Sequence, residues 1–137
     1  MSQENVELAR AALTAFVEVD EALVDRQHLN EFFAPDAIAN LSGVLNEEAT
    51  LRMDEFLAWR AAWMEPYDDW RYEHERILDA GETQVVVTLH QRGKLHDTDS
   101  WVEMRYGLVY TVEAGLIRRA AFYATPEQAL EAGGLSE

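Results

Sequence analysis

The sequence predicts an α+β fold, a conical barrel in which a strongly bent antiparallel β-sheet carries helices on its concave face. The N-terminal half has apolar residues at helical spacing over 3–19 and 50–64. The C-terminal half has three long alternating segments, 84–94, 100–112 and 116–124, separated by short turns. Because helices come first and strands follow as hairpins, we expect the helices on one side of the sheet.

Capping residues and prolines give the limits of the three N-terminal helices. Ser2 is a suitable N-cap for the first. A second is expected over 21–33, because Pro35 restricts the residue ahead of it. Thr50 can cap the third helix, which Pro66 ends.

The predicted sheet has one short strand and four long ones. The short strand covers Ala37–Leu41, and the first long strand covers Trp70–Leu78. Residues 42–48 lack a regular apolar period, so we expect a loop that could form a flap. Pro126 begins a short C-terminal helix over 127–132.

Composition limits the classes of protein to which the chain can belong. One domain over residues 1–137 is expected at this length. With 26 acidic and 11 basic residues the net charge is -15, which repels nucleic acid and anionic membranes. There is no cysteine, signal-peptide core or apolar run near the ~20 residues of a membrane span. We therefore expect a cytoplasmic protein without a metal or cofactor.

His90 and Arg92 are the leading candidates for chemistry. They are two residues apart in a strand, so they share a face, which the polarity of Thr88 assigns to the interior. Histidine can transfer protons near neutral pH, and arginine can hold a carboxylate, enolate or phenolate. The alternative is that His90 only lines the pocket wall and Arg92 pairs with a carboxylate.

Other ligand contacts are expected from the alternate side chains of the remaining strands that point to the interior, and from the helices. A tyrosine hydroxyl in an apolar wall could orient a carbonyl, or it could simply belong to an aromatic core residue. Asn40 could position a water or a ligand carbonyl, or be an ordinary turn residue. The predicted ligand-binding residues are Asn40, Thr88, Met104, Tyr106, Leu108, Tyr110, Phe122, Phe16 and Trp63.

The convex face is predicted to be too apolar for exposure to water, so we expect it to form a homodimer. The residues assigned to that face are Val85, Val87, Leu89, Val109, Ala121 and Tyr123. No phosphate-binding loop, nucleophile elbow or zinc-binding helix motif is present, and His90, His96 and Asp97 are not spaced as a compact metal site.

Several short motifs, taken in order, point to a known family. They are Met1–Leu8, Phe33–Ala37, Asp79–Gly81 before Val85–Val87, Gly115–Ile117 and Glu127–Gly133. Together they resemble the SnoaL-like branch of the nuclear transport factor two-like superfamily. The resemblance implies a conical pocket between the helices and the concave sheet face, and often a dimer through the convex face. The superfamily includes isomerases, cyclases, epoxide hydrolases, dehydratases and non-catalytic binders.

The residues that act in characterised relatives are mostly replaced here. The general-base aspartate of steroid-isomerase relatives corresponds to Leu41. The Asp-Arg-Asp network of epoxide-hydrolase relatives corresponds to Arg92, His90 and Phe122, so both carboxylates are missing. Of the water-positioning Tyr and Asn in those relatives, only Asn40 remains.

We therefore expect a small-molecule-binding domain whose ligand is mostly apolar with a polar or anionic handle. The alternative is an isomerase, cyclase, hydratase or hydrolase that uses His90 as a general acid/base. In that case Arg92, Tyr106 and Asn40 would orient and stabilise the substrate.

Overall fold

The computed structural model describes residues 2–18, 31–45 and 49–135. These ranges contain four helices and six strands. The helices are α1 (Ser2–Glu18), α2 (Ser42–Leu45), α3 (Met53–Met64) and α4 (Pro126–Ala132). The strands are β1 (Phe33–Leu41), β2 (Thr50–Arg52), β3 (Tyr67–Asp79), β4 (Gln84–Leu95), β5 (Trp101–Glu113) and β6 (Leu116–Tyr123).

The strands form one sheet in the order β2-β1-β6-β5-β4-β3. The hairpin strands β3 to β6 pair antiparallel, as predicted, but β1 lies parallel to β6. The edge strands β2 and β3 are not paired with each other across the described part of the chain. The α+β architecture is therefore confirmed, whereas the sheet is mixed and open rather than an antiparallel barrel.

One face of the sheet, which we call the inner face, packs against α1 and α3. Ala9, Ala12 and Leu13 of α1 are buried in this core. Small residues on the helix let its backbone come close to the sheet. The strand and α3 residues buried there are Phe33, Ala34, Ala37, Ala39, Leu41, Met53, Phe56, Val85, Val87, Leu89, Leu108, Tyr110, Val112, Ile117 and Ala120.

The opposite, outer face carries a smaller core under α4. Val86 and Val109 pack there against Ala129 and Leu130. Gly107 makes the close approach possible, because a Cβ atom at this position would lie 2.4 Å from the Ala129 Cβ. The Thr125 hydroxyl caps α4 by accepting from the amide of residue 128 at 3.2 Å.

Two predicted boundaries are wrong because strand pairing outweighs local preference. Phe33, expected at a helix end, begins β1, and the register shift between Phe33 and Ile38 accommodates Pro35. The rest of that predicted helix falls largely on residues 19–30, outside the described ranges. Thr50, expected as a helix cap, pairs with Asn40 in β2, and α3 begins only at Met53.

No helix in the described ranges is long and apolar enough to cross a membrane.

Candidate functional site

The two faces of β4 are reversed relative to the sequence prediction. Val87 pairs with Leu108 and Leu89 pairs with Tyr106, on the face that packs against the helices. Val87 and Leu89 are fully buried. His90 and Arg92, which alternate with these residues, therefore project from the outer face. The physical reason is that the continuous aliphatic face of β4 fills the larger core, and this sets the orientation of the strand.

His90 lies between two carboxylates on the outer face. Its Nδ1 is 3.2 Å from Glu73 Oε1 on β3, and its Nε2 is 2.9 Å from Glu103 Oε1 on β5. The imidazole thus links three neighbouring strands, and its side chain is 12% exposed. Arg92 lies opposite Glu103 in the register between β4 and β5. The sheet separates both residues from the inner face.

Gln91 is the polar residue of β4 that reaches the inner face, and sequence reasoning missed it. Its side chain is buried, with 6% exposure. The Tyr106 hydroxyl donates to Gln91 Oε1 at 2.9 Å, and Gln91 Nε2 donates to Met104 Sδ at 2.9 Å. In the sequence, Gln91 follows Val85, Val87 and Leu89 at every second position, so it extends their aliphatic face. A polar residue in such a position indicates a buried hydrogen bond, because a buried polar group requires a partner.

Five aromatic rings, which we call the aromatic ladder, connect α3 to β6 and β5 on the inner face. Trp63 stacks on Trp59, with ring centroids 5.6 Å apart, and Trp59 stacks on Phe56 at 6.1 Å. Phe56 then stacks on Phe122 at 5.5 Å, and Phe122 on Tyr106 at 6.3 Å. The spacing of the three α3 residues by three and four positions places them on one helix face. The ladder ends at the hydroxyl that contacts Gln91.

The other predicted ligand contacts are distributed over both faces. Leu108 and Tyr110 are on the inner face but fully buried in the core, where Tyr110 makes an edge-on contact with the Phe33 ring. Asn40 alternates with inward residues of β1, and its Oδ1 accepts from the Ser42 amide at 2.9 Å, as the alternative of a turn residue predicted. Thr88 is buried and lies on the outer face of β4. The side chain of Phe16 lies outside the described part of the molecule.

The inner face is electrically neutral along its central strands. Within the described residues, β4, β5 and β6 direct no charged side chain toward it. Polar atoms are supplied on this face by Gln91 and Tyr106, next to Met104, which is 37% exposed. The described residues also contain no group of three or more metal-ligating side chains. The arrangement suits a neutral apolar molecule that accepts a hydrogen bond.

Comparison with known proteins identifies the family of the chain. The family model for the SnoaL-like domain matches residues 9–120. No curated protein matches the sequence.

Solved structures with the same fold have low sequence identity. A protein from Jannaschia sp. CCS1, provisionally described as a SnoaL-like polyketide cyclase, is 14% identical, with a TM-score of 0.69 over 88% of this chain and 85% of that chain. A protein with a ketosteroid isomerase-like fold from Catenulispora acidiphila is 14% identical, with a TM-score of 0.65 over 94% and 93%. TerC, co-crystallised with polyporic acid, is 16% identical, with a TM-score of 0.65 over 96% and 98%. These similarities support the fold, and the family match spans most of the sequence. The chain therefore belongs to the SnoaL-like domain family.

Proposed function

We propose that the protein binds a small, planar, mostly apolar molecule on the inner face, against the aromatic ladder. The observation that supports this most directly is the run of stacked rings that ends at the hydrogen-bonded Gln91 and Tyr106. A planar ligand can stack on such rings, which contributes about 0.5–1.5 kcal/mol per aromatic pair beyond burial. The structural neighbour TerC, which was co-crystallised with polyporic acid, is consistent with small-molecule binding by this fold.

The polar handle in this proposal is neutral rather than anionic. Arg92, which was expected to hold an anion, lies on the outer face. Near the end of the ladder, the amide of Gln91 and the hydroxyl of Tyr106 supply uncharged donors and acceptors. A neutral acceptor avoids the cost of burying a charge without an opposite charge beside it.

The geometry does not favour the alternative in which His90 is a general acid/base. A proton-transferring group must reach the ligand within about 3 Å or through one water. Both ring nitrogens of His90 contact carboxylates on the face opposite the ladder. We therefore propose a structural role for His90, as a link between Glu73 and Glu103.

The binding proposal predicts different outcomes for two tryptophans of similar exposure. Trp63, at the end of the ladder, is 38% exposed, and Trp101, on the outer face, is 42% exposed. With fluorene as an uncharged planar probe, Trp63→Ala is expected to weaken binding about 2- to 10-fold, because one stacking contact is lost. Equilibrium dialysis measures this change, and Trp101→Ala serves as the matched control. Equal affinity in wild type and both variants would contradict binding at the ladder.

We also propose a homodimer through the outer face of β3, β4 and β5, although on a different basis from the sequence prediction. Val85, Val87 and Leu89 cannot form the interface, because they are buried within the subunit. Two rows of charged residues cross these strands instead, Glu73–His90–Arg105 and Arg71–Arg92–Glu103. A two-fold axis between the rows would place Glu73 opposite the partner's Arg71 and Arg105 opposite the partner's Glu103. The outer members of the two rows are therefore complementary to each other, while the central position brings His90 opposite the partner's Arg92.

Charge reversal tests the dimer. Arg105→Glu is expected to raise the dimer dissociation constant by about tenfold, because it creates repulsion across the interface. Sedimentation velocity over a concentration series measures the constant, with Arg52→Glu, at an exposed site in β2, as the control. A wild-type protein that stays monomeric across the series would reject the dimer. The cytoplasmic location and the lack of a nucleic-acid partner stay predictions, the second supported by the net charge of -15.

A further inference from the structure

The side-chain amide of Gln91 is held in one orientation by its two neighbours. A thioether sulfur can accept a hydrogen bond but cannot donate one, so the amide nitrogen must face Met104 Sδ, 2.9 Å away. The carbonyl end then faces the Tyr106 hydroxyl, which donates to it at 2.9 Å. A flipped amide would place its oxygen against the sulfur lone pairs. Tyr106 therefore holds the Gln91 N–H group toward the exposed Met104.

Met104 is a weak and replaceable partner for that N–H group. Thioether sulfur is a poor acceptor compared with a carbonyl oxygen. The methionine side chain is unbranched and flexible, and Met104 is 37% exposed. Gln91, by contrast, is 6% exposed and lies at the end of the buried stripe of β4. A buried donor thus faces a flexible and partly exposed side chain.

We propose that the Gln91 N–H group is the anchoring donor for the ligand, and that a ligand oxygen displaces Met104 Sδ from it. This inference rests on the proposed function and specifies the ligand further. The ligand class is a planar apolar compound with a neutral acceptor oxygen, such as a ketone or quinone carbonyl, at its edge. Tyr106 is a positioning residue in this arrangement, because its hydroxyl fixes which end of the amide the ligand meets.

Two probes of the same shape test the inference. Fluorenone and fluorene differ in one carbonyl oxygen, so the ratio of their dissociation constants isolates that hydrogen bond. The wild-type protein is expected to bind fluorenone about tenfold more tightly than fluorene. Gln91→Leu is expected to remove this preference by weakening fluorenone binding alone. Tyr106→Phe is expected to reduce the preference, because the amide is then free to turn.

Met104→Leu provides a variant at an exposed site, where folding is least affected. It keeps the size of the side chain but removes the sulfur acceptor, so fluorenone affinity is expected to rise while fluorene affinity stays constant. Equal binding of both probes by the wild-type protein would overturn the role of Gln91 and leave the binding proposal intact. A preference that survives in Gln91→Leu would also overturn it. Binding of neither probe would count against the proposed function itself.

Discussion

Leu89→Ala is expected to lower the free energy of unfolding by about 2–5 kcal/mol, the range for removing a large aliphatic side chain from a packed core. Leu89 is fully buried and pairs with Tyr106 across β4 and β5. The truncation would leave a cavity between the sheet and the helices of the inner face. Urea unfolding followed by circular dichroism at a fixed protein concentration measures the loss.

Val102→Ala is the control for this substitution. Val102 lies on the inner parity of β5, opposite Gly93 of β4, but it is 42% exposed. An exposed aliphatic residue changes stability by only about 0.5 kcal/mol when truncated. If Leu89 instead faced solvent, the two variants would unfold at similar urea concentrations. That result would reject the orientation of β4 described above.

Gly107→Ala is expected to destabilise the protein by about 1–3 kcal/mol through overpacking beneath α4. A Cβ atom at Gly107 would lie 2.4 Å from the Ala129 Cβ and 3.2 Å from the Val87 carbonyl oxygen. Neither a helix Cβ atom nor a strand backbone atom can rotate away. The helix must shift outward, which exposes part of the core formed by Val86 and Leu130. The midpoint of urea unfolding and its slope report this change.

A second substitution tests whether the clash is the cause. Ala129→Gly removes the atom that the new methyl group would meet, at a helix-propensity cost of about 1 kcal/mol. The double variant is expected to be more stable than the sum of the two single effects, since the substitutions share one contact. Strict additivity would show that the loss in Gly107→Ala arises elsewhere.

The placement of His90 and Gln91 changes which residue should be tested for function. Sequence reasoning favoured His90 because histidine has suitable acid/base chemistry. The structure gives it two carboxylate neighbours on the outer face, while Gln91 meets the ladder through Tyr106. A shift of one residue along a strand reverses the face, so residue chemistry alone could not distinguish the two.

The sequence by itself determined the α+β class, the order of helices before hairpins, and the limits of β4, β5 and β6 to within one or two residues. These features depend on local signals, since periodicity and turn residues act over a few positions. The short C-terminal helix was predictable for the same reason, from Pro126 and the glycines at 133 and 134.

Only the tertiary structure decided which face of β4 is the inner one, that β1 lies parallel to β6, and that the aromatic ladder meets Gln91. Both faces of β4 are largely apolar along the first half of the strand. The alternation of side chains therefore shows which residues share a face, but not which face packs against the larger core. That choice depends on the total apolar area buried when α1 and α3 pack on one face and α4 on the other. It is a property of contacts between residues far apart in sequence.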